Sequence, residues 1–142
     1  IQTDIYLGQN KTTAAYNSIQ SAARVMPENR ALAFKLAEVF IRQKNASAAI
    51  ALIQRFSSKN PRDVQAWRLM QQAANIDQQS PLRAINVLRY RAEVEYWSGW
   101  EENAIKSLLH AQRLVKDKNN ALLSAQVKIR LNEMQAERQL RI

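Results

Sequence analysis

Few residues in this chain could do covalent or metal chemistry, and none is spaced for it. The one histidine, His110, lies at helical spacing from Ile105, Leu108 and Leu114. It has no second His, no Cys and no His-Glu-x-x-His segment beside it, so a structural or surface role is expected. Gly8 and Gly99 are 91 residues apart and cannot form a phosphate-cradling loop. Glu101-Glu102 and Glu93/Glu95 are paired only along the chain, and such neighbours on a helix do not face each other for acid–base work. With zero Cys, thiolate catalysis, disulfides and Cys-based zinc sites are excluded. What remains is recognition. Arg42, Arg68 and Arg89, with Phe34, Tyr96 and Trp97, offer cation–π and apolar contacts that suit a peptide or protein surface.

The elements that must position these side chains are helices. The 142 residues include only 2 Gly and 3 Pro, a usage that favours helix over sheet. Pro27 and Pro61 are 34 residues apart, and the residues before each match in register. Counting back twenty-one gives Tyr6 and Phe40; twelve, Ala15 and Ala49; eight, Ile19 and Ile53; five, Ala22 and Phe56. An aromatic, a small residue, a large aliphatic and a proline recur in phase, with Phe56 the one mismatch. That is the period and residue-class pattern of the tetratricopeptide (TPR) helix–turn–helix repeat. The pattern predicts an all-α TPR-type solenoid of antiparallel helix pairs in a right-handed superhelix. Residues 1–27 form a truncated first repeat, 28–61 the second, and 62–80 the start of a third. Helices are expected over about 28–44, ended by Asn45, and 46–59. Asn60-Pro61-Arg62-Asp63 reads as an N-cap, a proline at the first helical position and an acid in the first turn. Trp67 and Met70 open the third repeat.

Beyond Ser80 the register slips. Ser80-Pro81 reads as another cap-and-proline pair. Residues 82–98 leave room for one helix, although two repeat roles compete for it: Ala84, Val87 and Leu88 suit the end of the third repeat, and Ala92, Tyr96 and Gly99 the fourth. Residues 81–117 are thus irregular repeats three and four, with a helix over about 100–117. Asn119-Asn120 caps a last helix in 118–142, whose stripe Leu123, Val127, Leu131 and Met134 fits a terminal capping helix. Gly99 is expected where a left-handed turn is needed. The rings of Trp97 and Trp100 are expected to bury against that final helix, an exposed aromatic patch being the alternative.

The formal charge is +9, and eight Lys/Arg face three Asp/Glu between Lys106 and Arg141. The excess is dispersed, as on a solvated surface, and forms no block of like charge typical of a disordered tail. Nucleic acid is the alternative partner. Helical-repeat RNA binders present polar side chains regularly to successive bases, and no such regularity is visible, so it is not expected. No apolar run approaches the roughly 20 residues of a membrane span. If the first helix of each repeat lines the concave face, Phe34, Glu38, Ile41 and Arg42 point into the groove from the second repeat. Arg68, Gln72, Asn75 and Ile76 follow from the third, and Arg89, Glu93, Tyr96 and Trp97 from the fourth. A third possibility is a scaffold dimerising through the terminal stripe, so monomer and weak dimer both stay open.

The run Arg91-Ala92-Glu93, Tyr96, Gly99, Ala104-Ile105 and Leu108, with the basic amphipathic helix after it and the two repeats before it, resembles the C-terminal TPR region of bacterial periplasmic zinc metalloproteases of the beta-barrel assembly-enhancing type. The resemblance implies the periplasm. It implies partners among outer-membrane barrel substrates and the barrel-assembly machinery. It also implies a separate N-terminal protease domain holding zinc through His-Glu-x-x-His. None of those ligands can be carried onto this chain, which lacks the motif. The abrupt amphipathic start at Ile1 is expected of a segment preceded by more protein. The chain itself is therefore expected to be a non-catalytic protein-binding module with no cofactor of its own.

Overall fold

The computed structural model describes residues 12–140. Among them are seven helices and no strand: α1 Thr12–Val25, α2 Arg30–Arg42, α3 Ala46–Lys59, α4 Val64–Ile76, α5 Arg83–Trp97, α6 Glu101–Val115 and α7 Ala121–Leu140. Each packs on the next in chain order, and α2 also touches α4, the stacking that an α-solenoid requires. The expectations for Tyr6, Gly8 and the side chain of Ala15 lie outside the described residues.

The prolines do not open helices, which corrects the expected phase by about one turn. Each sits second in a four-residue turn. The fourth N–H donates to the first carbonyl: Asn29 to Met26 at 3.1 Å, Asp63 to Asn60 at 3.1 Å, and Arg83 to Ser80 at 3.3 Å. Proline's fixed φ suits that second position, and a residue preceding proline is steered away from helical ψ. The caps therefore fall three residues later than expected where a side chain is available. Asn29 accepts from the Leu32 N–H, and Asp63 from the Ala66 N–H. Asn60 instead ends α3, and α5 starts after Leu82 with no side-chain cap. Asn45, expected to end α2, caps α3 through the Ala48 N–H.

The regular half packs around small residues. Ala37 and Ala49 are 0% and 1% exposed, and Ile53 and Met70 fill the layer beside them. Each fully buried aliphatic of this kind contributes about 1.5–3 kcal/mol. Phe56, the register mismatch, meets Phe34 edge-on with ring centroids 5.8 Å apart. Arg30 lies 4.1 Å over the Phe34 ring and reaches on to Asp63 with contacts of 2.7 and 2.8 Å. That pair ties the second repeat to the cap of the third, and the Arg30 guanidinium holds the Asp63 carboxyl below its ordinary value.

Helix α5, like every interior helix, packs on both of its neighbours, α4 and α6; its turns set it apart. The α2–α3 and α5–α6 turns are built alike. Lys44 has φ 61° and Gly99 φ 93°. The next residue's N–H returns to a carbonyl five positions back, Asn45 to Phe40 and Trp100 to Glu95, both at 2.8 Å. The two turns are 55 residues apart, not a multiple of 34. So α5 opens a pair with α6 while also closing one with α4. The stripe Leu123, Val127, Leu131 and Met134 is at most 5% exposed. It is consumed inside the chain, against Ala111, Val115 and Leu108 among others. This removes it as the surface for the dimerisation considered above.

Candidate interaction groove

The site grows from one face of α5. Ala92, which lets α6 approach closely, and Glu93 fall on the buried side of that helix, at 0% and 7% exposure. A carboxylate there needs a cation, and Arg130 of α7 supplies one. Its Nε donates to Glu93 Oε2 at 2.7 Å and its second guanidinium nitrogen to Oε1 at 2.9 Å. Burial by itself would lower the Arg130 pKa; the Glu93 and Glu133 carboxylates together outweigh that and hold it above its ordinary value. One turn on, the Trp97 indole N–H donates to Glu93 Oε1 at 3.2 Å, and its ring meets Tyr96 edge-on at 4.9 Å. The Arg130 guanidinium lies 5.1 Å from the Tyr96 ring and 5.9 Å from that of Trp97. Arg62, from the α3–α4 turn, lies 5.4 Å from Trp97. Trp97 is thus flanked by two guanidiniums from different elements.

This cluster lines an open groove of about 750 Å³ that includes Arg62, Tyr96, Trp97 and Arg130. It adjoins a second hollow of about 390 Å³ between α3, α4 and α5, reaching Gln54, Trp67, Arg89 and Tyr90. The two share Trp97, Arg130 and Glu133. Trp67 stacks on Tyr90 with centroids 6.3 Å apart, and its indole N–H donates to the Pro61 carbonyl at 2.7 Å. Arg89 sits 5.6 Å over the Tyr90 ring. Desolvation raises the Tyr90 hydroxyl's pKa, with the Arg89 charge opposing.

The structure brings together only part of the expected set. Arg89, Glu93, Tyr96 and Trp97 share the groove wall. Glu93 and Tyr96 are buried in it, not free to meet a ligand. Phe34 is a correction: its ring is 6% exposed and is spent on Phe56 and Arg30. Ile41 packs against the α2–α4 core, and Glu38 pairs with Lys35 at 3.9 Å. Arg42, Arg68 and Gln72 are exposed but line neither hollow. Asn75 is held by Arg83 at 2.6 and 2.7 Å, and with Ile76 it borders a shallow depression at the α4–α5 loop. The first hollow is walled by α5, α7 and the α3–α4 turn, and the second adds α3 and, through Trp67 and Met70, α4; no residue of α2 lines either. Arg62, Tyr90 and Arg130 were missed. A carboxylate on the buried phase of α5 was the available signal, although it does not say which helix brings the cation. The two tryptophans part ways: Trp97 is half-buried and Trp100 is 63% exposed. His110 lies on the exposed face of α6, and no cluster of metal-ligating side chains exists among the described residues. No helix among them is long and apolar enough to cross a membrane.

Residues 6–73 match the tetratricopeptide repeat family model. The chain is 36% identical to the beta-barrel assembly-enhancing protease of Yersinia pestis over 73 residues, which is 51% of this chain and 15% of that protein. It is 32% identical to the protein of the same name from Escherichia coli (strain K12) over 120 residues, 82% of this chain and 23% of that one. The chain spans less than a quarter of the length of these relatives.

Proposed function

We propose that this tetratricopeptide-repeat chain, similar to part of the beta-barrel assembly-enhancing proteases, is a non-catalytic module that holds a segment of a partner protein in the groove lined by α3, α4, α5 and α7. The observation that supports the reading is the Trp97 cluster. An aromatic ring flanked by Arg62 and Arg130, and backed by the Glu93–Arg130 pair, is a rigid anchor beside an open hollow. Aromatic and arginine side chains held this way are the usual centres of binding energy. The names of the relatives support a finer reading: the module works in the periplasm, in a longer protein that handles outer-membrane barrel proteins. In that reading the zinc and the peptide-bond chemistry belong to residues outside this chain, and the groove presents or restrains the substrate.

A photo-crosslinking residue placed at Gln54, on the groove wall, should capture outer-membrane barrel proteins or components of their assembly machinery when carried by the full-length protein in cells. The same residue at His110, on the far side of α6, should not. Capture from position 110 with none from position 54 would overturn the groove as the binding surface.

A further inference from the structure

The turn end of the α6–α7 hairpin lies outside the groove and gathers cations. From Asn103 to Ile129 the chain carries five Lys/Arg and one acid, Asp117. Lys106, Arg113, Lys116, Lys118 and Lys128 are all exposed, and none is bound to a carboxylate among the described residues. The other acids of the hairpin lie towards its far end. There Glu102 binds Arg138, Glu133 binds Arg130, and Glu101 and Glu137 have partners of their own. The Glu102–Arg138 pair also marks one seam between the two helices. Arg113 follows about three turns on along the same line of α6. Lys128 lies about three turns back along α7, on the line through Leu131 and Gln135. The two cations thus flank the same seam near its turn. Within the turn the Lys118 N–H donates to the Val115 carbonyl at 3.1 Å, and Asn120 caps α7 through the Leu123 N–H at 3.0 Å. The C-terminal dipole of α6 favours cations in its last turn, which accounts for Arg113 and Lys116 but not for Lys118 or Lys128.

The same end is also apolar. A helix that closes a solenoid ordinarily has a polar outer face, and α7 does not. Opposite its buried stripe, Leu122 is 71% and Ile129 60% exposed, with exposed Ala125 between them at helical spacing. Lys128 comes three residues after Ala125 and next to Ile129, so charge and aliphatic surface interleave. We infer that this end of the hairpin docks on an anionic lipid surface. Leu122 and Ile129 enter the boundary between headgroups and acyl chains, and Arg113, Lys116, Lys118 and Lys128 meet the lipid phosphates. Basic side chains beside exposed aliphatics are the composition that such binding requires. Nucleic acid would satisfy the cations but gives an exposed aliphatic nothing to enter. Proteins that hold single strands stack aromatic rings on the bases, and no Phe, Tyr or Trp occurs from Asn103 to Ile129. The inference uses no residue of the groove and stands apart from the groove reading.

The test is flotation of the full-length protein with vesicles of phosphatidylcholine alone and of phosphatidylcholine containing about 30% phosphatidylglycerol, at two salt concentrations. The protein should partition at least about tenfold more strongly onto the anionic vesicles, since two cations at about fivefold each suffice, and high salt should reduce the difference. Arg113→Glu with Lys128→Glu should weaken anionic binding at least about tenfold. Leu122→Ser with Ile129→Ser, which leaves the charge unchanged, should weaken it about tenfold. Arg42→Glu with Arg68→Glu, an equal change of charge at exposed positions away from the hairpin, should change it less than about twofold. All are surface changes, and unaltered urea midpoints would confirm that the fold is kept. Equal binding to neutral and anionic vesicles, or equal weakening by the Arg42 and Arg68 pair, would overturn the inference. So would an unchanged affinity after loss of Leu122 and Ile129, which would mark the end of the hairpin as a face for nucleic acid or for an acidic protein.

Discussion

The stretch from α2 to α4 and the stretch from α5 to α7 use the same vocabulary of helix, alanine contact and tight turn, yet they divide the work. In the first, every buried position between Ala33 and Ala74 is apolar except Ser57, and the ion pairs lie towards the surface, Glu28–Lys59 within the second repeat and Arg30–Asp63 between the second and third. In the second, a carboxylate is buried at the centre, and an arginine 37 residues away closes over it. The first half is stabilised chiefly by area removed from water. The second spends part of its interior on a directional contact that defines a surface. Regular repetition builds a scaffold; the departure from it, one helix serving two pairs, builds the groove.

The comparison can be broken or sharpened by mutation. The largest effect is expected from Ile53→Ala in the regular half. That side chain is 0% exposed, and its loss should cost about 2–5 kcal/mol through lost transfer energy and a residual cavity, read as a lower urea midpoint with unchanged slope. Arg130→Ala, in the irregular half, should cost about 2–4 kcal/mol, somewhat less than a fully buried pair because the arginine side chain is 27% exposed. Its signature is different. Adding Glu93→Leu to Arg130→Met should recover much of the loss, since a hydrophobic replacement of both partners removes the stranded charge. If the double variant is no better than Arg130→Ala, the pair is not what organises that half.

The two equivalent turns should respond with opposite signs. Gly99→Ala meets no atom within 4 Å, so its cost is purely that of a left-handed backbone, about 1–2 kcal/mol. Lys44→Gly at φ 61° should gain up to about 1 kcal/mol by the same reasoning. Thermal melts of the two variants check this, and parallel shifts would show the turns are not alike. The smallest effect is a pH dependence confined to the regular half. The Asp63 carboxyl is held below its ordinary 3.8, chiefly by the hydrogen-bonded Arg30 guanidinium. A depressed carboxyl gives stability that is present above the unfolded value and lost as pH falls through the folded one. Wild type should therefore lose stability faster than Asp63→Asn from about pH 4 downward, measured as urea midpoints at pH 6 and pH 3.

The helical solenoid was legible because the 34-residue period repeats local information: Ala49, Ile53 and the prolines recur in phase, although the prolines were expected to open helices and instead sit in the turns before them. The phase of the caps was legible only in part. Asn60 and Asp63 both have capping side chains, and the choice between them depends on what Pro61 forbids to the residue before it. The groove was half legible. Arg89, Glu93, Tyr96 and Trp97 share a face by helical spacing alone, but Arg62 and Arg130 reach them only through the way α3 and α7 cross α5. Nothing in the spacing of the later residues encodes that crossing. Phe34 was misplaced for a similar reason: the Phe56 that covers it stands where the repeat pattern has a small residue.

The double duty of α5 has a consequence for how the molecule can be divided. In an ordinary solenoid, a cut between helix pairs leaves two pieces with whole pairs. Here a break at Gly99 leaves α6 and α7 with the Ala92 and Tyr96 face of their core missing, and a break in the 77–82 loop strips α4 of its cover. A fragment ending at either break would therefore carry apolar surface into water that the intact chain keeps covered.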